Sequence, residues 1–181
     1  MQLGHGILTV NDVAGYSWQA FRPRVVAAVA ALLESHPDLS SIRVEQLQLR
    51  YIDARPFDFA ESDIYGFLRA RMGLSIAMPA PLRSEPDLAA HPMGFSWQTL
   101  SESRRPRGVA TLTFSGGEKE GRPHLFWEIA LVSSGADVPG DLPAQLDGWL
   151  DQAHGVLVNG IFWKLIEGEL EEEFGVVHDD D

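Results

Sequence analysis

The 181-residue chain has the length of one domain and is long enough to bury a sizeable single core. Its 45% apolar and 22% charged residues exclude disorder throughout, and zero cysteines exclude disulfides, thiolate metal sites and cysteine nucleophiles. A formal net charge of −12 disfavours nucleic acid as a general partner, because phosphate is repelled.

Met1 to His5 has neither a basic stretch nor an apolar run, so no secretory signal is expected and a cytoplasmic location is the reading. Residues 2–10 read as one short strand closed by Asn11-Asp12. A helix follows, capped by Ser17, with Phe21, Val25, Val29, Leu32 and Leu33 on one face. Its nine-residue apolar run, 25–33, is the longest in the chain and half of what a membrane span needs, so no membrane partner is expected. His36-Pro37 ends the helix, since the residue before proline avoids the α region.

The clearest strand is 42–54. Ile42 and Val44 share one face, whereas Leu47, Leu49 and Tyr51 continue one residue out of phase, which predicts a bulge near Glu45-Gln46. Gln46, Gln48, Arg50 and Ile52 form the other face, too polar for a dry core. A helix at 62–72 carries Ile64, Phe67, Leu68 and Met72 on a core stripe. The proline-rich segment 74–93 is an irregular connection. Strands at 94–102, 108–115 and 123–134 are joined by turns at 104–108 and 116–121, giving two antiparallel hairpins.

Asp141 as cap and Pro143 in the first turn predict the start of a long helix. Its stripe runs from Leu146, Trp149, Leu150 and Ala153 through Leu157, Leu165 and Leu170 to about Phe174. From Leu165 onward there are eight acids and no Lys or Arg, against 18 acids and 14 bases before it. The excess charge is therefore mostly terminal, and 176–181 reads as a solvated acidic tail on a single α+β domain at 1–175. The order β-α-β-α-β-β-β-α predicts a mostly antiparallel sheet of about five strands, with the long C-terminal helix and two further helices on one face.

The segments Tyr16-Ser17-Trp18-Gln19-Ala20-Phe21, Leu49-Arg50-Tyr51-Ile52-Asp53 and Leu150-Asp151-Gln152-Ala153-His154 with Phe162 carry a resemblance over nearly the whole chain. They resemble a sporadically distributed, uncharacterised bacterial family known only by a catalogue number, with the "LRYI(D/N)" strand and the "LxxAH…F" helix as its distinctive pieces. The chain departs from that pattern at its front, where members run longer before the strand at Gln2, so a short form or an upstream segment is expected. The resemblance implies no activity, substrate or cofactor; a patchy distribution implies a mobile or defence locus.

Among chemistry-bearing residues, Asp147, Asp151 and His154 fall at i, i+4 and i+7 on one helical face, a carboxylate-imidazole set suited to zinc, manganese or iron. The competing reading is two solvated carboxylates favourable near a helix N-terminus and a histidine bonded to the sheet. Arg50 and Gln48, with His154, are the candidates for an anionic ligand, since a guanidinium clamps carboxylate or phosphate bidentately; a structural ion pair to Asp53, Asp151 or Glu128 is the alternative. Arg104, Arg105 and Arg107 read as a solvated turn, and neither a phosphate-binding loop nor a G-x-S-x-G elbow is present. Trp149 and Trp163, 14 residues apart, are the candidates for an exposed interface stripe.

With no catalytic residue assigned and no cofactor expected, the sequence leans away from an enzyme. The reading is a non-enzymatic protein-binding or regulatory accessory protein, antitoxin-like or a defence-system subunit of a bacterial mobile locus. It would bind a protein partner or itself through a sheet edge and the C-terminal helix. The alternatives are a small anionic-ligand module with a cavity between sheet and long helix, and a metal-dependent enzyme.

Overall fold

The computed structural model describes residues 1–13, 15–37, 42–83, 85–89, 91–142, 144–167 and 170–171. The fold is α+β, with a four-stranded antiparallel sheet, a separate two-stranded hairpin and helices against one sheet face. The hairpin is β1 (Gln2–Gly4) with β2 (Ile7–Thr9), where one strand was expected. Gly6, at φ 72°, lets the chain reverse in the middle of that segment, and the hairpin pairs with no strand of the main sheet.

Helix α1 spans Trp18–Ser35, its N-terminus capped as expected by the Ser17 hydroxyl accepting from the Ala20 amide at 3.2 Å. It continues through Pro23 and ends at His36. Phe21 is its buried residue, while Val25, Val26 and Val29 pack partly against the core. Strand β3 (Gln46–Pro56) has an unbroken register with β6, from Gln46 opposite Ser134 to Pro56 opposite His124. There is therefore no bulge. Ile42 and Val44 precede the strand, so their phase never had to match it.

Helix α2 (Ile64–Met72) buries Ile64, Leu68 and Met72, capped by Asp63 and ended by Gly73 in the left-handed region at φ 64°. A four-residue helix, α3 (Ala80–Arg83), interrupts the proline-rich connection. Strands β4 (Ser96–Arg104), β5 (Arg107–Lys119) and β6 (Arg122–Ser134) form a meander, and the strand order is β3-β6-β5-β4. The β5–β6 turn is two residues, Glu120 and Gly121, both with positive φ. Gly116 and Gly117, expected in the turn, are ladder residues instead, opposite Leu125 and His124. A Cβ on Gly116 would sit 3.0 Å from the Phe59 ring, which is the packing reason for a glycine there.

The C-terminal helix begins with α4 (Leu146–His154), four residues later than Asp141 as a cap would place it. Asp141 instead accepts the Gln145 amide through its backbone carbonyl, and Gln145 stands at the cap position; Pro143 lies outside the described residues. After α4 the helix widens into an eight-residue π segment, Gly155–Phe162, and closes with α5 (Trp163–Ile166). Phe174 and the acidic tail at 176–181 lie outside the described residues.

One face of the sheet supplies Leu49, Phe114, Leu125, Trp127, Ile129 and Leu131 to the core, and the C-terminal helix covers it with Leu146, Trp149, Leu150, Ala153, Leu157, Leu165 and Ile166; Leu170, beyond α5, is buried with them. Trp149 is therefore a core residue at 4% exposure. Its indole N–H donates at 2.9 Å to the Ser133 hydroxyl, which in turn donates to the Arg107 carbonyl at 2.5 Å. Ser133 is wholly buried, so this chain of bonds satisfies two groups that burial would otherwise leave costly. Ser133→Ala is expected to strand the indole N–H and destabilise the fold by about 1–3 kcal/mol, read as a lower urea midpoint at unchanged slope.

Candidate functional site

The residues expected to share one site are divided between the two sheet faces. Alternation along β3 places Leu47, Leu49, Tyr51 and Asp53 toward the helices, and Gln48, Arg50 and Ile52 on the open face. Arg50 is exposed and sits 3.6 Å from the Glu128 carboxylate, its cross-sheet neighbour, which matches the structural ion pair read from the sequence. Gln48 is exposed on the same face. His154 lies on the other side, so Arg50, Gln48 and His154 do not form one ligand pocket. A cleft of about 510 Å³ lies at the far end of α1, lined among others by Leu33, Glu34, Ile42, Arg43, Val44 and Leu142.

His154 ends α4 and is held on two sides. Its Nδ1 is 2.7 Å from the Tyr51 hydroxyl, which is 2.8 Å from the Tyr16 hydroxyl. Its ring stacks on Trp18 at 4.0 Å between centroids and 7° between planes. The "LRYI(D/N)" strand and the "LxxAH" helix, distant in sequence, thus meet at Tyr51 and His154. The same contact reaches back to Tyr16 and Trp18 ahead of and inside the first turn of α1.

A turn further into α1, Arg22 spans Asp147 and Asp151. It donates through Nε and Nη2 to Asp147, both at 2.6 Å, and through Nη1 to Asp151 at 2.8 Å. Arg24 pairs with Asp12 beside it. The two aspartates proposed as metal ligands therefore neutralise a guanidinium. Among the described residues no group of three His, Asp or Glu side chains is placed to hold a metal ion. The Arg22 hydrogen bond holds the Asp147 carboxyl below its ordinary range.

Burial sets the other ionisations. It pushes up the Tyr51 phenol, with the Tyr16 hydroxyl adding to the effect, and pushes up Tyr16, where the Tyr51 hydrogen bond opposes it. Burial also lowers His154, outweighing the attraction of Asp151, and Arg22 adds to the lowering. These shifts favour the neutral form of all three groups at pH 7, in which the cluster hydrogen-bonds and stacks. It is a clasp that ties the segment before α1 and the start of α1 to β3 and α4.

Asp53, next along the same face of β3, has no hydrogen-bond or ion-pair partner among the described residues, and burial alone pushes its carboxyl up to about 6. Trp163 is half-buried against the core and meets the Phe162 ring at 5.1 Å, so with Trp149 buried the two do not make an exposed stripe. Sequence reasoning missed Tyr16, Trp18, Arg22 and Tyr51 as partners. For Tyr16, Trp18 and Tyr51 the available signal was their presence in the segments that carry the resemblance; Arg22 lies outside those segments and 125 residues from Asp147, and no spacing rule joins them.

No protein-family model matches the chain, and neither the curated proteins nor the solved structures give a match.

The folded chain holds the Asp53 proton to about pH 6, whereas an unfolded one loses it near pH 4. The fold therefore binds the extra proton between those values, and stability falls as pH rises through that window and stays lower above it. Asp53→Asn is expected to raise stability by about 1–2 kcal/mol at pH 8 and to change little at pH 4, the upper figure being reduced by solvent screening. His154 acts with the opposite sign. Its depressed ionisation is matched by stability that is lost as pH falls below about 6.5, so in Asp53→Asn urea unfolding followed from pH 8 down is expected to show this loss without the opposing rise, with Asp147 adding to it at lower pH.

Proposed function

We propose that this chain is a cytoplasmic, non-enzymatic protein-binding or regulatory accessory protein, antitoxin-like or a subunit of a defence system from a bacterial mobile locus. The family resemblance supplies that context. The single observation that supports the binding role is the uncovered face of the four-stranded sheet. Ile52, Val109 and Leu100 on it are 51%, 42% and 63% exposed, and Val109 is paired directly with the half-buried Val132.

Cross-strand rows give this face its form. Gln48, Val132, Val109 and Glu102 make one row; Arg50, Ala130, Thr111 and Leu100 make the next; Ile52, Glu128, Thr113 and Gln98 make the third. Val132, Ala130 and Val109 lie on the two central strands and Ile52 and Leu100 on the edge strands, with Arg50, Glu102 and Glu128 interspersed among them. Exposed apolar groups gathered on one face mark surfaces that bind other proteins. This moves the binding surface from the C-terminal helix, whose apolar stripe is already covered by the sheet, to the opposite side of the molecule.

The test is affinity purification from the native host with the wild-type chain and with Leu100→Glu/Val109→Glu, followed by intact-complex mass measurement. The wild type is expected to carry a stoichiometric protein partner or a second copy. The double variant, folded by circular dichroism, is expected to lose it by tenfold or more. A partner retained by the double variant, or no stoichiometric partner at all, contradicts the reading.

A further inference from the structure

Resting on that reading, we propose that the outer edge of β3 receives an extended segment of the partner that carries a Lys or Arg opposite Asp53. β3 is an edge over all eleven of its residues. Its inner side is bonded to β6 from end to end, and among the described residues no other segment adds a backbone hydrogen bond along its outer side. An edge of that length with an unbroken register is a template for another strand, and proteins usually blunt such edges with Lys, Pro, bulges or inward-pointing charges. β3 has no Lys and no bulge, its proline is the last residue, Pro56, and its inward-pointing charges are Asp53 and Arg55, the latter lying over the Phe67 ring at 4.8 Å.

The one inward-pointing acid is Asp53, which decides what can pair there. It lies on the helix-side face with no partner among the described residues, and its inner cross-strand neighbour is the buried Trp127. A strand added outside β3 would place its own side chain about 5 Å from that carboxylate. An apolar side chain there would bury the carboxylate further without a partner, and a second copy of β3 paired about Asp53 would set two like charges together. A Lys or Arg would supply the missing counter-charge. The neighbouring positions of the added strand would lie beside Ile52 on the open face, where a β-branched residue covers exposed apolar surface.

The probes are three fluorescent nonapeptides of alternating Thr and Val with Lys, Gln or Glu at the centre, added to the full chain. Fluorescence anisotropy gives the affinities and amide exchange gives the site. The Lys peptide is expected to bind at least tenfold more tightly than the Glu peptide and to protect amides of Gln46–Pro56. Asp53→Asn is expected to reduce that preference below threefold, and Asp53→Lys to invert it in favour of the Glu peptide. The inversion is a gain of binding that a misfolded variant could not produce. Equal binding of the Lys and Glu peptides, no binding of any of them at millimolar concentration, or an undiminished Lys preference in Asp53→Asn overturns the proposal. So does a dimer whose β3 amides are already protected without peptide. A host partner that depends on Leu100 and Val109 but ignores Asp53→Lys removes this inference and leaves the accessory-protein reading standing. Absence of any host partner removes that reading, while the peptide preference is still read on the purified chain.

Discussion

The one-sided burial of the sheet under the C-terminal helix is the constraint on which the rest of the structure depends. β6 runs through the centre of the core with Leu125, Trp127, Ile129 and Leu131 fully buried on one face, and the helix lays Leu146 through Ile166 across them. Each such side chain contributes roughly 1.5–3 kcal/mol on leaving water, so this contact outweighs every polar interaction in the molecule. Polar groups caught beneath the helix must then be satisfied, and the Trp149–Ser133–Arg107 chain does so at its N-terminal end.

The clasp at His154 is secondary in energy but sets geometry. Tyr51, Tyr16 and Trp18 hold one residue of the helix from two directions, and Arg22 holds the preceding turn through Asp147 and Asp151. The Arg22 pairs are partly exposed, so solvent screening leaves them modest, and their effect is chiefly to fix α1 against α4. Immediately beyond this anchored turn the helix widens into its π segment at Gly155. Such π segments are rare and occur mostly as insertions within α-helices.

Among the described residues the same asymmetry leaves the other face of the sheet and the edge of β3 to solvent. A mixed surface of Ile52, Leu100 and Val109 among Arg50, Glu102 and Glu128 tolerates water, so the isolated chain has no need of a further layer. That makes the face available to a partner without making the fold depend on one. Asp53 occupies the boundary between the covered and uncovered regions, where partial burial without a counter-charge lowers stability at neutral pH.

Much of the fold was legible because its determinants are local. The Ser17 cap, the stripe of α2, the alternation of Leu47, Leu49 and Tyr51 and the meander of the last three strands each follow from backbone geometry over a few residues. Local signals also failed where two local solutions compete. Residues 2–10 fit one strand or a hairpin about Gly6, and Asp141 caps as well as it turns. The β3 bulge was inferred from Ile42 and Val44, which are not in the strand. The site was barely legible, since helical spacing placed Asp147, Asp151 and His154 on one face but could not say what that face meets. Only the tertiary structure gave both aspartates to Arg22 and His154 to Tyr51, buried Trp149, and turned Arg50 away from all of them. By itself the sequence determined the α+β class, the helix and strand faces and the acidic end, because periodicity and charge are properties of neighbours. The tertiary structure decided partners and exposure, because those depend on contacts between different elements, up to 129 residues apart for Arg22 and Asp151.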